Sequence, residues 1–121
     1  AKEAFLQQVA QVWVLVVRSI GKQDYHTALY RMEQLDTIAK DFPDAVECSE
    51  LGREMLSQSI TEPIAEQKFD KSIERIVMLG KLQERFSDAS EAVTLGLQTL
   101  RETLISTVDA ENFGVAASLI Q

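Results

Sequence analysis

The sequence contains very little cysteine, proline or glycine: one, two and five residues among 121. A single thiol cannot form an internal disulfide or supply the paired ligands of a zinc ribbon. The scarcity of cysteine favours a reducing compartment, so we expect a cytoplasmic protein. The five glycines are isolated from one another, which excludes a glycine-rich phosphate-binding loop.

Histidine is equally scarce, because His26 is the only one. Any Ser-His-Asp or Cys-His arrangement must therefore use it, with Cys48 as the candidate nucleophile. Glu47 and Glu50 lie close to Cys48 in the sequence, and neighbouring carboxylates disfavour a reactive thiolate. We predict a non-enzymatic protein with no catalytic residue, cofactor or metal site. A phosphorelay through His26 stays open as an alternative, because phosphotransfer domains are helical bundles with one reactive histidine.

Long apolar runs and an excess of positive charge are also missing. The longest uninterrupted apolar run covers residues 12–17, whereas a membrane span needs about 20 residues, so we predict no membrane insertion. There are 19 acidic and 12 basic residues, for a net charge of −7. That balance argues against a nucleic-acid partner, which requires a basic surface.

Apolar residues recur at helical spacing along the chain, and no hairpin signal interrupts them. This pattern predicts an all-α fold, an antiparallel bundle of five to six helices in a single domain spanning residues 1–121. The apolar content continues to Leu119 and Ile120, and we expect the domain to be a fragment of a longer chain.

The first two helices are bounded by clear signals. Residues 5–20 are apolar on nearly every side, so we expect this helix to lie at the centre of the bundle, with Gly21 ending it. Asp24 is predicted to cap the second helix and Pro43 to end it. Asp44 is predicted to cap the third helix, with Glu47 completing a capping box.

Later boundaries depend on proline, glycine and serine. Residues 61–63 predict a break or a kink at Pro63, and the sequence leaves open whether the third and fourth helices are continuous through it. The fourth helix is predicted to run to about Phe86. Gly80, inside that helix, is predicted to mark a close helix crossing. Residues 87–90 predict a loop in which Ser90 caps the fifth helix, and Asp109 is predicted to start a short sixth helix.

Negative charge is concentrated in one stretch. Residues 33–66 contain nine acids and two bases. Their net charge of −7 equals the net charge of the whole chain. We predict that this region binds a protein partner with a basic surface, together with exposed apolar residues beside it. The predicted binding residues are Asp36, Asp41, Asp44, Glu47 and Glu50. The alternative is a solvated surface whose acids stabilise helix N-termini.

A second functional alternative is self-association. The dense apolar helix at residues 5–20 could form part of a homodimer core, because a five-helix bundle can bury such a helix only at its centre. This alternative predicts a regulatory dimer.

The segment from Gly21 to Leu35 resembles two families. Its sequence motif has an aromatic residue at Tyr25, then Ala28-Leu29, then Met32-Glu33-Gln34-Leu35. It is similar to the turn and second helix of a tetratricopeptide repeat, although no second copy occurs at 34-residue spacing. It also resembles helical-rod subunits of multisubunit vesicle-tethering complexes of the exocyst type, over roughly residues 21–43. The second resemblance implies a non-enzymatic scaffold of stacked helices.

Overall fold

The computed structural model describes residues 2–120, with the side chains of residues 3–43 and 45–108. This part of the chain forms five helices without strands, at 85% helix, which confirms the predicted all-α bundle. The helices are α1 (Lys2–Gly21), α2 (Tyr25–Ala39), α3 (Asp44–Ala65), α4 (Phe69–Gly80) and α5 (Ser87–Ile120).

The centre of the bundle is α3 and not α1. Each of the other four helices packs against α3, whereas the main contacts of α1 are with α2 and α3. On α1, Val9, Val16 and Ile20 are buried, while Val14 and Leu15 are exposed. The prediction of a central first helix is therefore wrong. Although residues 5–20 are apolar all round, neighbouring helices cover one face of them.

The helices form two groups of three that share α3. α1, α2 and α3 pack against one another, and α3, α4 and α5 do the same. α1 and α2 are antiparallel, as the stacking of Phe5 on Phe42 shows, and α2 and α3 are antiparallel because Tyr25 bonds to Ser59 and Asp36 to Arg53. α5 runs parallel to α3, because Arg53 bonds to Asp88 and Ile60 lies beside Gly96.

The α1–α2 connection follows the sequence prediction closely. Asp24 caps α2, and its carboxylate accepts a hydrogen bond from the Thr27 amide at 3.4 Å. Gln23 adopts the left-handed conformation, with φ 58°. α2 ends at Ala39, and the cap position of α3 is Pro43, with Asp44 as the first helical residue. The predicted Asp44 cap is therefore wrong.

Pro63 lies inside α3, so the helix is continuous through this proline and the alternative of a break there is wrong. A proline has no N–H, which leaves the Ser59 carbonyl without its usual donor four residues on. Arg75, on α4, supplies the replacement: its Nη1 donates to Ser59 O at 2.6 Å. α3 ends two residues later at Ala65, and the left-handed Gln67, with φ 62°, turns the chain into α4.

The remaining boundaries differ from those predicted. α4 covers Phe69–Gly80 and does not extend to Phe86. α5 begins at Ser87, so Ser90 is not a cap, and it continues without interruption to Ile120, so no separate sixth helix starts at Asp109. The side chains predicted for that sixth helix lie outside the described residues.

The close helix crossing occurs at Gly96 and not at Gly80. A Cβ atom on Gly96 would lie 2.7 Å from Ile60 Cγ2 and 3.3 Å from Ile76, whereas one on Gly80 would meet nothing within 4 Å. α5 therefore approaches α3 and α4 closely at Gly96. Leu100 is the last buried side chain along α5 in the described range, and Leu104, Ile105 and Val108 are exposed.

Candidate protein-binding surface

The outer face of α3 carries a row of three carboxylates, Glu47, Glu50 and Glu54, which we call the acidic ridge. Spacings of three and four residues place them on one face of the helix. All three side chains are exposed. In the part of the chain that the structure describes, none of them lies within ion-pair distance of a basic side chain. The ridge is therefore a solvent-facing row of uncompensated negative charge.

Apolar side chains border the ridge. Val46 and Leu51, on the same helix, are 41% and 49% exposed. A surface that combines exposed charge with exposed apolar side chains can contribute both steering and buried area to a protein partner.

The five predicted binding residues do not all belong to this surface. Glu47 and Glu50 lie on the ridge, and Asp41 is exposed in the turn before α3. Asp44 opens α3, but its side chain lies outside the described residues. Asp36, on α2, forms an ion pair with Arg53 at 2.8 Å. The structure thus places Asp36 in a contact between helices.

Glu54 was not among the predicted binding residues, although it completes the ridge. It lies one helical turn after Glu50, so the spacing was visible in the sequence. The missing information was which face of α3 points outward, and the contacts of α3 with the other helices decide that.

Two other acids, Asp36 and Asp88, stabilise the fold by binding Arg53 on α3. Its Nη2 bonds to Asp36 on α2 and its Nε to Asp88 on α5, at 2.8 and 2.9 Å. Burial alone would lower the pKa of Arg53, but Asp88 and then Asp36 raise it above its ordinary value. Arg53 therefore connects α3 to α2 and α5, and its positive charge is neutralised by Asp36 and Asp88.

The structure does not bring His26 and Cys48 together. His26 is exposed in the first turn of α2, where its ring meets Phe86 edge-on at 5.8 Å. The neighbouring Tyr25 bonds to Ser59, near the far end of α3 from Cys48. Cys48 is half-buried and lies about 16 Å along α3 from Ser59 at 1.5 Å per residue. A Cys-His pair is therefore not formed.

The outer face of α1 is a second unusual surface. Residues 4–17 contain no charged side chain, and Leu6, Val14 and Leu15 are between 37% and 44% exposed. The stretch Glu3–Gly21 is long and apolar enough to cross a membrane by length and composition, with 28% of it buried in the bundle. A core helix of a soluble protein meets the same criterion. The absence of membrane insertion therefore stays a prediction.

Comparison with known protein families, curated proteins and solved structures finds no match for this chain. The resemblance of residues 21–43 to exocyst-type rods thus gains no support from these comparisons.

Proposed function

We propose that this chain is a non-enzymatic interaction or scaffold module whose acidic ridge binds a basic protein surface. The observation that carries the proposal is the exposure of Glu47, Glu50 and Glu54 in one row, with no ion-pair partner among the side chains that the structure describes. Three other acids of the chain, Asp36, Asp88 and Glu33, do pair with arginines. The ridge acids are therefore free of such pairing among the described residues, and they differ from other exposed acids in forming one row on a single helix face.

The ridge also carries an energetic cost. Carboxylates three and four residues apart on a helix repel one another, by about 0.2–0.5 kcal/mol per pair. Glu50 and Glu54 lie beyond the first turn of α3, so they gain little from the helix dipole. A basic partner surface would relieve this repulsion on binding.

The stacked arrangement suits a scaffold. α1, α2 and α3 pack together, and α4 and α5 pack on α3 in turn. Helices stacked in this way present long, continuous surfaces to partners. Tyr25, Ala28-Leu29 and Met32 resemble the motif of exocyst-type rod subunits. This resemblance implies a scaffold function, and we include that function in the proposal.

Charge reversal tests the ridge. The probe is a helical peptide with lysines along one face, and its affinity for the protein is measured by isothermal titration. The variant combines Glu47→Lys, Glu50→Lys and Glu54→Lys. Opposed like charges cost several kcal/mol, and each 1.4 kcal/mol is tenfold in affinity. We therefore expect at least about a tenfold loss of affinity.

The matched control reverses three exposed acids elsewhere, with Glu84→Lys, Glu91→Lys and Glu102→Lys. Both variants carry the same net charge. If the proposal is right, the control binds far more tightly than the ridge variant. Equal affinities would show that net charge alone attracts the peptide, which would refute a ridge-specific site. Circular dichroism establishes that both variants remain helical.

A second candidate function is self-association through α1. The supporting observation is its charge-free, partly exposed face with Leu6, Val14 and Leu15. Light scattering during size exclusion should then give a dimer mass for the natural sequence and a monomer mass for Val14→Lys combined with Leu15→Lys. A monomer mass for the natural sequence at every concentration would exclude this function.

A further inference from the structure

From the charges around one cleft we infer a binding site for a phosphate-bearing anion, formed by the α1–α2 turn and α4. The cleft has a volume of about 410 Å³ and is lined by Lys22, Gln23, Lys71, Glu74, Arg75 and Met78. Clefts that hold small molecules are typically about 300–1,000 Å³. The inference does not rest on the proposed function, because no residue of the acidic ridge lines this cleft.

Charge is the first argument for this site. Lys22, Lys71 and Arg75 bring three positive charges to the cleft, and Glu74 brings one negative charge. Among the described residues, none of the three cations is within ion-pair distance of a carboxylate. Their excess occurs in a protein of net charge −7. A ligand with at least two negative charges would balance the cleft.

Arg75 is held in place independently of any ligand. Its Nη1 donates to Ser59 O, the carbonyl that Pro63 leaves without a helical donor. The guanidinium has five N–H donors in a fixed plane, and this bond uses one of them. The remaining donors match the oxygens of a phosphate, which guanidinium groups bind in two-point contacts.

The opposite wall of the cleft is also ordered. The amide nitrogens of Lys22 and Gln23 donate to carbonyls at the end of α1, at 3.1 and 3.0 Å. The Gln23 side chain donates to Gly21 O at 2.9 Å. This turn therefore supplies an ordered backbone for the Lys22 and Gln23 side of the cleft, while α4 supplies Lys71 and Arg75. Less ordering is needed on binding when the walls are already formed.

The chemistry shared by the possible ligands is a phosphate group, free in solution or on a lipid headgroup. The probe for the soluble source is inorganic pyrophosphate, titrated into the ¹⁵N-labelled full chain and followed by amide shifts. The probe for the lipid source is a phosphatidylcholine vesicle with or without a phosphoinositide, followed by co-sedimentation. Saturable shifts without vesicle binding assign a soluble ligand, and phosphoinositide-dependent binding that pyrophosphate competes assigns a headgroup.

The deciding variant is Lys22→Gln combined with Lys71→Gln, which leaves the structural Arg75 intact. Charge-assisted hydrogen bonds to phosphate are the strong ones, so we expect at least about a tenfold loss of affinity. The matched control is Lys40→Gln combined with Arg101→Gln, two exposed cations that do not line the cleft.

The result that supports the site is saturable binding with shifts centred on residues 22, 23, 71 and 75, lost in the cleft variant and kept in the control. Shifts that do not saturate, or that weaken equally in both variants, would show a general response to ions and would overturn the inference. Either result leaves the ridge experiment unaffected, since that experiment uses different residues and a different probe.

Discussion

The two faces of α3 contrast sharply, although they belong to one helix. The inner face contains Ile60, which is fully buried, and Ser59, which bonds to both Tyr25 and Arg75. The outer face contains the exposed carboxylates Glu47, Glu50 and Glu54. The inner face makes the contacts that hold five helices together, whereas the outer face makes none of the described ion pairs. The difference separates residues that stabilise the fold from residues available to a partner.

The largest expected difference between the faces comes from truncating one apolar side chain on each. Ile60→Ala removes a fully buried side chain and should lower the free energy of unfolding by about 2–5 kcal/mol. Leu51→Ala truncates a side chain that is 49% exposed, so the change should stay within about 0.5 kcal/mol. Urea unfolding measures both. Equal losses would mean that the faces are not distinct.

The next effect concerns the contact between α3 and α5. Gly96→Ala places a Cβ 2.7 Å from Ile60 Cγ2 and should destabilise by about 1–3 kcal/mol. Gly80→Ala, where the added atom meets nothing within 4 Å, should stabilise by up to about 1 kcal/mol. Thermal melts of both variants give the signs. A stabilising Gly96→Ala would contradict the close approach of α5 to α3.

Arg75 and Pro63 form the third comparison. Arg75→Met removes the donor to Ser59 O and should cost about 1–3 kcal/mol. In the Pro63→Ala background, the new amide at residue 63 can donate to the same carbonyl, so the cost of Arg75→Met should fall. A double-mutant cycle should give a coupling of about 1 kcal/mol. Identical costs in both backgrounds would rule out this compensation.

The stability contributed by the contact between Tyr25 on α2 and Ser59 on α3 depends on pH. Burial raises the pKa of the Tyr25 hydroxyl, against the opposing effects of the Ser59 hydrogen bond and the Arg75 charge. The neutral hydroxyl therefore contributes stability that is fully present below the unfolded pKa of about 10 and is lost as the pH rises through the folded pKa.

Tyr25→Phe should flatten the alkaline part of the stability curve, while costing about 1 kcal/mol at neutral pH through the lost hydrogen bond. Tyr30→Phe is the control, since Tyr30 is 47% exposed. Denaturant unfolding between pH 7 and 11 measures both variants. An unchanged alkaline limb in Tyr25→Phe would refute this assignment.

The smallest expected effect concerns the outer face. Glu50→Gln removes repulsion with Glu47 and Glu54 and should raise stability by about 0.2–0.5 kcal/mol. Glu84→Gln, in the turn after α4, should leave stability within experimental error. A clear loss of stability in Glu50→Gln would indicate that the ridge supports the fold.

Local signals in the sequence predicted part of this fold. The helical spacing of apolar residues and the Asp24 cap depend on neighbours a few residues away, and both predictions are confirmed. Other features depend on contacts between helices. Pro63 does not break α3 because Arg75 satisfies the exposed carbonyl. Gly80 and Gly96 are both isolated glycines within predicted helices. Only the structure shows that Ile60 and Ile76 lie close to Gly96, whereas a Cβ atom on Gly80 would meet nothing within 4 Å.

The candidate site was likewise predicted in part from local sequence and in part depended on contacts between helices. The concentration of acids in residues 33–66 was visible in the sequence. Their separate roles were not, since Asp36 pairs with Arg53 across two helices whereas Glu50 faces solvent. Helix orientation decides which acid meets a base, and a single sequence does not report it.

The salt dependence of peptide binding tests the central claim most directly. The affinity of the lysine-bearing peptide should fall with rising salt for the natural sequence, because screening weakens exposed charge pairs. This dependence should largely disappear when Glu47, Glu50 and Glu54 are replaced by glutamine. A variant whose affinity and salt dependence both match those of the natural sequence would contradict the acidic ridge as the binding surface.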